Sequence, residues 1–149
     1  MPVPPSLAGR PGALLVIAAR TGQELASRRL APLGLSVRLC GVLNLLAEGA
    51  ISQQELGEQL GIDRTTVVEM IDELEQQGIV VRRRNPADRR SYALTLTPRG
   101  QTVQKRAARV FDAAADEFFE ALEPAERQAL SGMLQRLIST ADERMAAGT

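Results

Sequence analysis

The chain has 149 residues and a mass of 16.1 kDa, which is the size of a single domain that buries a sizeable core. Its 44% hydrophobic and 24% charged residues exclude disordered and collagen-like chains, and its single cysteine excludes an intrachain disulfide framework. The net charge of zero excludes a uniformly basic surface but not a local basic patch. Because the chain has no histidine and only one cysteine, zinc fingers and histidine-based catalysis are excluded. The sequence also has no phosphate loop and no evident pair of catalytic carboxylates, so we expect neither an enzyme nor a metal or cofactor site.

The amino-terminal part of the chain predicts a flexible lead-in followed by a helix. Residues 1–10 include three prolines and resemble a frayed terminus. Apolar residues at helical spacing then predict a helix over residues 11–31, which Pro32 and Gly34 end. The apolar run at the start of this helix is far too short to cross a bilayer, so we expect a cytoplasmic protein with no membrane partner.

Three further helices are each marked by a capping side chain. Ser36 caps the second helix, Ser52 and Glu55 form a capping box that opens a short third helix, and Asp63 caps the fourth. The fourth helix follows a turn at Gly61 and has one apolar face. Its opposite face carries Thr65, Val68, Glu69, Asp72 and Gln76.

The period of hydrophobicity changes from helical to β after residue 78. β-rich runs at 79–81 and 92–96 flank a charged segment with a central proline, which predicts a two-stranded antiparallel hairpin. This hairpin, residues 79–96, is called the wing below. Residues 79–100 hold six arginines against one aspartate, a net of +5, whereas residues 61–78 hold one arginine against five acids, a net of −4.

Two long helices complete the predicted order. Thr97 and Pro98 begin one that runs to about Leu122, and Pro124 begins another that reaches about Met145. Two compact helices joined at Gly61 and followed by a hairpin define a winged helix-turn-helix. The predicted fold is therefore mainly α with a small β-hairpin wing (α+β).

The residues of this region resemble the MarR (multiple antibiotic resistance regulator) family of transcription factors. The resemblance covers about fifty consecutive residues from Ser52 onward and includes the wing signature Pro-x-Asp-Arg-Arg followed by Leu-Thr-x-x-Gly. It implies a homodimer that binds a pseudo-palindromic operator in double-stranded DNA. It also implies dimerisation helices in residues 11–34 and 101–149, a DNA-binding lobe in residues 35–100, and a repressor relieved by a small amphipathic or aromatic anion.

The resemblance assigns DNA contacts to three places in the lobe. The second helix of the motif enters the major groove, its preceding helix meets phosphates, and the wing reaches the minor groove, where arginine is favoured. In the wing, Asp88 corresponds to the acid that orients Arg90 for insertion. The expected DNA-binding residues are Ser52, Gln53, Gln54, Arg64, Thr65, Thr66, Val68, Glu69, Arg82, Arg83, Arg84, Asp88, Arg89 and Arg90.

Two of these positions carry a further expectation. Asp72 corresponds to a structural acid that pairs with Arg82 or Arg83. Glu69 departs from the neutral or basic residue common in the family. A carboxylate there repels phosphate but can accept a hydrogen bond from cytosine N4.

The second helix contains the expected ligand-binding residues, Arg38, Leu39 and Cys40. Two alternatives to a ligand-responsive DNA-binding regulator stay open. Cys40 is either a redox-sensing thiolate or a small buried hydrophobe. The zero net charge and Glu69 are also compatible with a winged-helix module that binds protein and not DNA.

Overall fold

The computed structural model of the chain describes residues 3–85, 87, 88, 90 and 92–148. Their helices and strands follow the predicted order with one added strand. In chain order the elements are α1 (Pro11–Leu30), a 3-10 turn (Ala31–Leu33), α2 (Val37–Glu48), β1 (Ile51–Ser52), α3 (Gln53–Leu60), α4 (Arg64–Gln76), β2 (Val80–Arg84), β3 (Tyr92–Leu96), α5 (Pro98–Phe118) and α6 (Pro124–Ala147). The chain divides into two compact units, Met1–Ala115 and Asp116–Thr149.

The predicted helix caps of the first unit are confirmed. Ser36 Oγ accepts a hydrogen bond from the Leu39 backbone N–H at 3.1 Å at the start of α2. Gly61 ends α3 with a φ of 64°, a left-handed conformation that glycine adopts without steric cost. This turn allows α4 to begin three residues later, and the two helices thus form the helix-turn-helix.

The hydrophobic core of the first unit lies beneath the helix-turn-helix. Apolar residues of α2, α3, α4, the sheet and α5 form one cluster, in which Leu43, Ile71, Leu74 and Leu94 have no exposed surface. Burial of these branched side chains is the main favourable contribution to folding. Their helical spacing in α2 and α4 is the spacing from which the sequence predicted the inward faces.

The sheet has three strands, and the prediction of a two-stranded hairpin was incomplete. The strand order is β1-β3-β2, with Ile51 opposite Leu94 and Ser52 opposite Ala93. A strand of two residues has too few positions to show a period of two. The wing also differs from the prediction, because β2 runs from Val80 to Arg84 and includes the arginines that were assigned to the loop.

The start of α5 is fixed to the end of α4 through backbone contacts. Thr97 Oγ1 donates a hydrogen bond to the Gly78 carbonyl at 2.5 Å and accepts one from the Gly100 N–H at 2.9 Å. A Cβ on Gly100 would lie 2.0 Å from the carbonyl oxygen of Ile79, well inside van der Waals contact. The Leu-Thr-x-x-Gly part of the sequence signature thus describes a cap and a close approach of two backbones.

The last two helices end and begin close to their predicted positions. The fifth ends at Phe118, four residues before the predicted Leu122, because a turn closed by the Leu122 N–H and the Phe119 carbonyl follows it. Pro124 begins α6, whose first turn is closed by a capping box between Glu123 and Glu126. The predicted flexibility of residues 1–10 and the predicted domain boundaries stay predictions.

Among the described residues, no single helix has both the length and the apolar character to cross a membrane. Residues 11–33 and 37–48 have that length and apolar character only when they are taken together, and the two segments are bent by 78° relative to each other. The apolar side chains Leu39, Val42 and Leu43 of the second segment are packed in the core of the first unit.

Candidate nucleic-acid interface

A groove of about 1180 Å³ lies between α3, α4 and the wing. Seven of the fourteen residues predicted to contact DNA line it, and they come from all three elements. These residues are Ser52, Gln53, Gln54, Arg64, Val68, Arg82 and Arg90. The fold therefore brings together residues that are up to 38 positions apart in sequence.

The start of α3 presents a capped helix end at one edge of this groove. Ser52 Oγ accepts a hydrogen bond from the Glu55 N–H at 3.1 Å, and Glu55 Oε2 accepts one from the Ser52 N–H at 2.9 Å. The hydrogen bonds from the Ser52 backbone and then its side chain hold the pKa of Glu55 below its ordinary value. Gln54 is exposed and donates from Nε2 to Glu58 at 3.0 Å.

The start of α4 is held by Asp63, as the sequence predicted. Its Oδ1 accepts from the Thr66 N–H at 2.9 Å, and its Oδ2 accepts from the Thr66 hydroxyl at 2.6 Å. These side-chain and backbone hydrogen bonds lower the pKa of Asp63. Thr65 and Arg64 are exposed in the same first turn. This turn thus has a fixed backbone and two exposed polar side chains.

Arg82 lines the groove, and its side chain joins the wing to α3 and α4. Its Nη2 lies 2.6 Å from Asp72 Oδ1 and its Nη1 lies 3.3 Å from Glu75 Oε1, both on α4. Its Nε donates to Gln53 Oε1 on α3 at 2.9 Å. The sequence predicted that Asp72 pairs with Arg82 or Arg83, and its partner in the structure is Arg82. Since its side chain is 20% exposed, this geometry favours a positioning role over direct DNA contact.

The wing tip presents exposed arginines around short polar turns. Arg83 and Arg84 are exposed at the end of β2, and Arg90 is exposed where it lines the groove. Asp88 Oδ1 accepts a hydrogen bond from the Arg90 backbone N–H at 2.9 Å, so the acid fixes the backbone at Arg90. Arg89, which was also predicted to contact DNA, lies outside the described residues.

Seven residues that were not among the predicted site residues also line the groove, and Tyr92 is one of them. Tyr92 is 45% exposed and lies opposite Arg84 in the sheet. Alternation along β3 gives the signal, because a period of two places Tyr92 on the same face as the buried Leu94. The other added lining residues include Ile62, Glu58 and Glu75.

The three residues predicted to bind a ligand do not share one environment. Arg38 is exposed on α2, whereas Leu39 and Cys40 belong to the hydrophobic core and are 7% and 1% exposed. Burial, and then the negative charge of Asp112, raise the pKa of the Cys40 thiol. This environment is that of a small buried hydrophobe and opposes formation of the reactive thiolate. The ligand role of Arg38 stays a prediction.

The comparisons with known proteins agree on one family. The family model described as MarR family matches residues 41–92. A protein of Thauera aromatica, named for transcriptional regulation of the hcr operon, is 34% identical over 124 residues, which are 79% of this chain and 75% of that protein.

Solved structures extend the similarity over nearly the whole chain. The transcriptional repressor CouR bound to a 23-mer DNA duplex is 33% identical with a TM-score of 0.83, and the match covers 93% of this chain and 99% of that one. CouR from Rhodococcus jostii RHA1 bound to p-coumaroyl-CoA is 30% identical with a TM-score of 0.78, over 90% of this chain and 95% of that one.

The helix-turn-helix, the three-stranded sheet and the groove that they enclose define a winged helix-turn-helix protein. The similarity to the Thauera aromatica protein and to CouR adds the family. The chain belongs to the MarR family of transcriptional regulators.

Proposed function

We propose that the chain is a homodimeric repressor that binds double-stranded DNA and is released by a small-molecule ligand. One observation carries the DNA-binding part: the groove joins the capped start of α3, the first turns of α4 and Arg90 of the wing on a single face. Such a face can contact adjacent major and minor grooves of a duplex, since an α-helix fits the major groove and arginine favours the narrow minor groove.

The three sides of the groove divide the contacts with DNA. On α4, Thr65, Thr66 and Val68 face base edges in the major groove, and Arg64 reaches a backbone phosphate. At the start of α3, Ser52, Gln53 and Gln54 meet a phosphate, which the positive end of a helix attracts. In the wing, Arg83, Arg84, Arg89 and Arg90 supply the minor-groove and flanking phosphate contacts, and Asp88 fixes the backbone that presents Arg90.

The exposed apolar residues of the terminal helices support a homodimer. On α6, Met133, Leu137 and Ile138 are 47%, 61% and 62% exposed, and Met133 and Leu137 lie one turn apart. On α1, Leu15 and Val16 are 46% and 68% exposed. Exposed apolar side chains on the terminal helices of a regulator that binds a pseudo-palindromic site are suited to a two-fold interface between identical chains.

The ligand-responsive part of the proposal draws on relatives. CouR has been solved with a DNA duplex and with p-coumaroyl-CoA, an aromatic anion. We propose that this chain likewise responds to an amphipathic or aromatic anion and that Arg38 attracts its charge. The function also implies a cytoplasmic protein without enzymatic activity.

The two alternatives have less support. Redox sensing through Cys40 requires an accessible thiolate, whereas this thiol is buried and its pKa is raised. A protein-binding module without DNA contacts is favoured only by the zero net charge and by Glu69. That alternative predicts no salt-sensitive binding to any duplex, whereas counterion release predicts steeply salt-dependent binding.

Selection of bound duplexes from a random pool tests the proposal. The purified protein is expected to enrich a two-fold symmetric sequence with half-sites about one helical turn apart. Fluorescence anisotropy over a range of salt concentrations then gives the affinity, and sedimentation gives the mass of the free protein. A chain that sediments as a monomer, or that enriches no duplex in dilute buffer, would falsify the proposal.

A further inference from the structure

Five acids cap or belong to α4, and four of them are held by partners within the protein. Asp63 bonds Thr66, and Asp72 and Glu75 bond Arg82. Glu73 accepts from Gln77 Nε2 at 3.3 Å. Glu69 is the remaining acid, and within the described part of the chain the structure gives it no hydrogen bond and no ion pair. Its carboxylate is exposed to solvent.

The helix surface around Glu69 contains no cation that neutralises it. Side chains three and four residues away are the neighbours on a helix, and for Glu69 these are Thr65, Thr66, Asp72 and Glu73. The one arginine of α4, Arg64, lies five residues earlier and about 140° around the helix. A carboxylate thus lies on a helix face that is otherwise formed by threonines, a valine, a glutamine and paired acids.

The position of Glu69 on α4 determines which groups of a bound duplex it can contact. Glu69 lies on the face opposite the buried Val67, Ile71 and Leu74, outside the groove lining but one turn from Thr65, which faces base edges in the proposed function. Phosphates repel a carboxylate, and a hydrogen-bond donor on a base edge offsets that repulsion. Cytosine N4 is the donor that glutamate accepts from, whereas adenine is read by carboxamides, which both donate and accept.

We propose that Glu69 is a specificity-determining residue that accepts a hydrogen bond from the N4 amino group of a cytosine in each half-site. The inference rests on the proposed DNA-binding function and adds the base that one side chain reads. In a homodimer, two copies of Glu69 select C·G pairs at two positions related by the operator's two-fold axis.

Duplex selection with three proteins tests this assignment. Wild type is expected to enrich C·G at one symmetric pair of positions. In Glu69→Gln the carboxylate becomes a carboxamide of the same size, and the preference at those positions shifts from C·G toward A·T. Glu73→Gln is the matched control, because it removes the same charge from the same helix one turn further along. Its selected sequence is expected to equal that of wild type.

Affinities for two defined duplexes make the test quantitative. Changing the selected cytosine to thymine replaces the N4 donor with an acceptor, and wild type is expected to lose on the order of tenfold in affinity. Glu69→Gln is expected to lose less than about threefold on the same change. Melting curves of the three proteins serve to show that each is folded, since both glutamates are exposed.

The outcomes separate the two hypotheses. If all three proteins enrich the same sequence, Glu69 does not read a base, although the DNA-binding function stands. The base-reading role is equally refuted if Glu69→Gln binds every duplex more tightly with unchanged preference, because the carboxylate then only repels phosphates. If wild type enriches no duplex at all, the proposed function fails and the assignment of Glu69 fails with it.

Discussion

The guanidinium of Arg82 lies 2.6 Å from the carboxylate of Asp72, measured from Nη2 to Oδ1, and this ion pair ties the wing to the middle of α4. The same guanidinium bonds Gln53 at the start of α3. One side chain therefore fixes the relative positions of the three elements that enclose the groove. Its carbon stem is buried against them, and only 20% of the side chain is exposed.

Replacing Arg82 with methionine tests this positioning role. Arg82→Met keeps an unbranched stem and removes the charge, so we expect unfolding to become easier by about 1–2 kcal/mol. DNA affinity and base discrimination should fall while the salt dependence of binding keeps its slope. Anisotropy titrations at several salt concentrations measure both quantities. A slope smaller by about one ion indicates instead that Arg82 neutralises a phosphate.

Arg90 of the wing is expected to contact DNA directly, whereas Arg82 positions other residues. Arg90 is exposed and lines the groove, so Arg90→Ala should weaken DNA binding by about 1–3 kcal/mol and relax A·T preference at the flanks. Arg109→Ala removes an exposed cation of α5 that does not line the groove, and it is the matched control. Equal affinities of the two variants would argue against insertion of the wing.

The close approach at Gly100 predicts a steric effect on stability. In Gly100→Ala the added methyl meets the Ile79 carbonyl, so we expect a loss of about 2 kcal/mol or more in the free energy of unfolding. Gly41→Ala is the control, since its Cβ lies 3.7 Å from the nearest atom, a side-chain carbon of Leu60, and helix propensity favours alanine. Urea unfolding of both variants provides the comparison, and a neutral Gly100→Ala contradicts the geometry.

The cap of α4 predicts a pH-dependent contribution to stability. The pKa of Asp63 is lowered on folding, so its charged form stabilises the protein above the unfolded value near 3.8. This contribution is lost as the pH falls through the lower folded pKa. Asparagine also caps helices but does not titrate. The difference in Tm between wild type and Asp63→Asn should therefore shrink as the pH is lowered below about 4. A difference in Tm that stays constant over that pH range would contradict the titration of Asp63.

Burial of Cys40 predicts a thiol that resists modification in the folded protein. We expect iodoacetamide to react slowly with native protein at neutral pH and rapidly in denaturant, because both burial and the raised pKa suppress the thiolate. Duplex affinity should be unchanged by mild peroxide. Mass spectrometry after timed quenching measures the reaction. Fast alkylation of native protein would make Cys40 a candidate redox sensor again.

Features set by neighbouring residues were predictable from the sequence. The caps at Ser36, Ser52 and Asp63 depend on contacts with the backbone three residues on, and the structure confirms each of them. The inward faces of α2 and α4 followed from apolar spacing. The order of helices and the winged helix-turn-helix followed from these local signals together with the wing signature.

Features set by distant residues were not predictable in the same way. β1 exists only because Ile51 and Ser52 meet β3, about forty residues later. The role of Arg82 depends on Gln53, twenty-nine residues away, so its positive charge was assigned to DNA. Local sequence does not encode these pairings.

The short strand β1 has a mechanical consequence. Ser52 is both a paired residue of the sheet and the cap of α3, so strand β3 of the wing and the first helix of the motif are joined without a linker. Swinging the wing alone would break the pairing of Ser52 with Ala93 and pull on that cap. A signal that moves the wing relative to α3 therefore has to break this pairing as well.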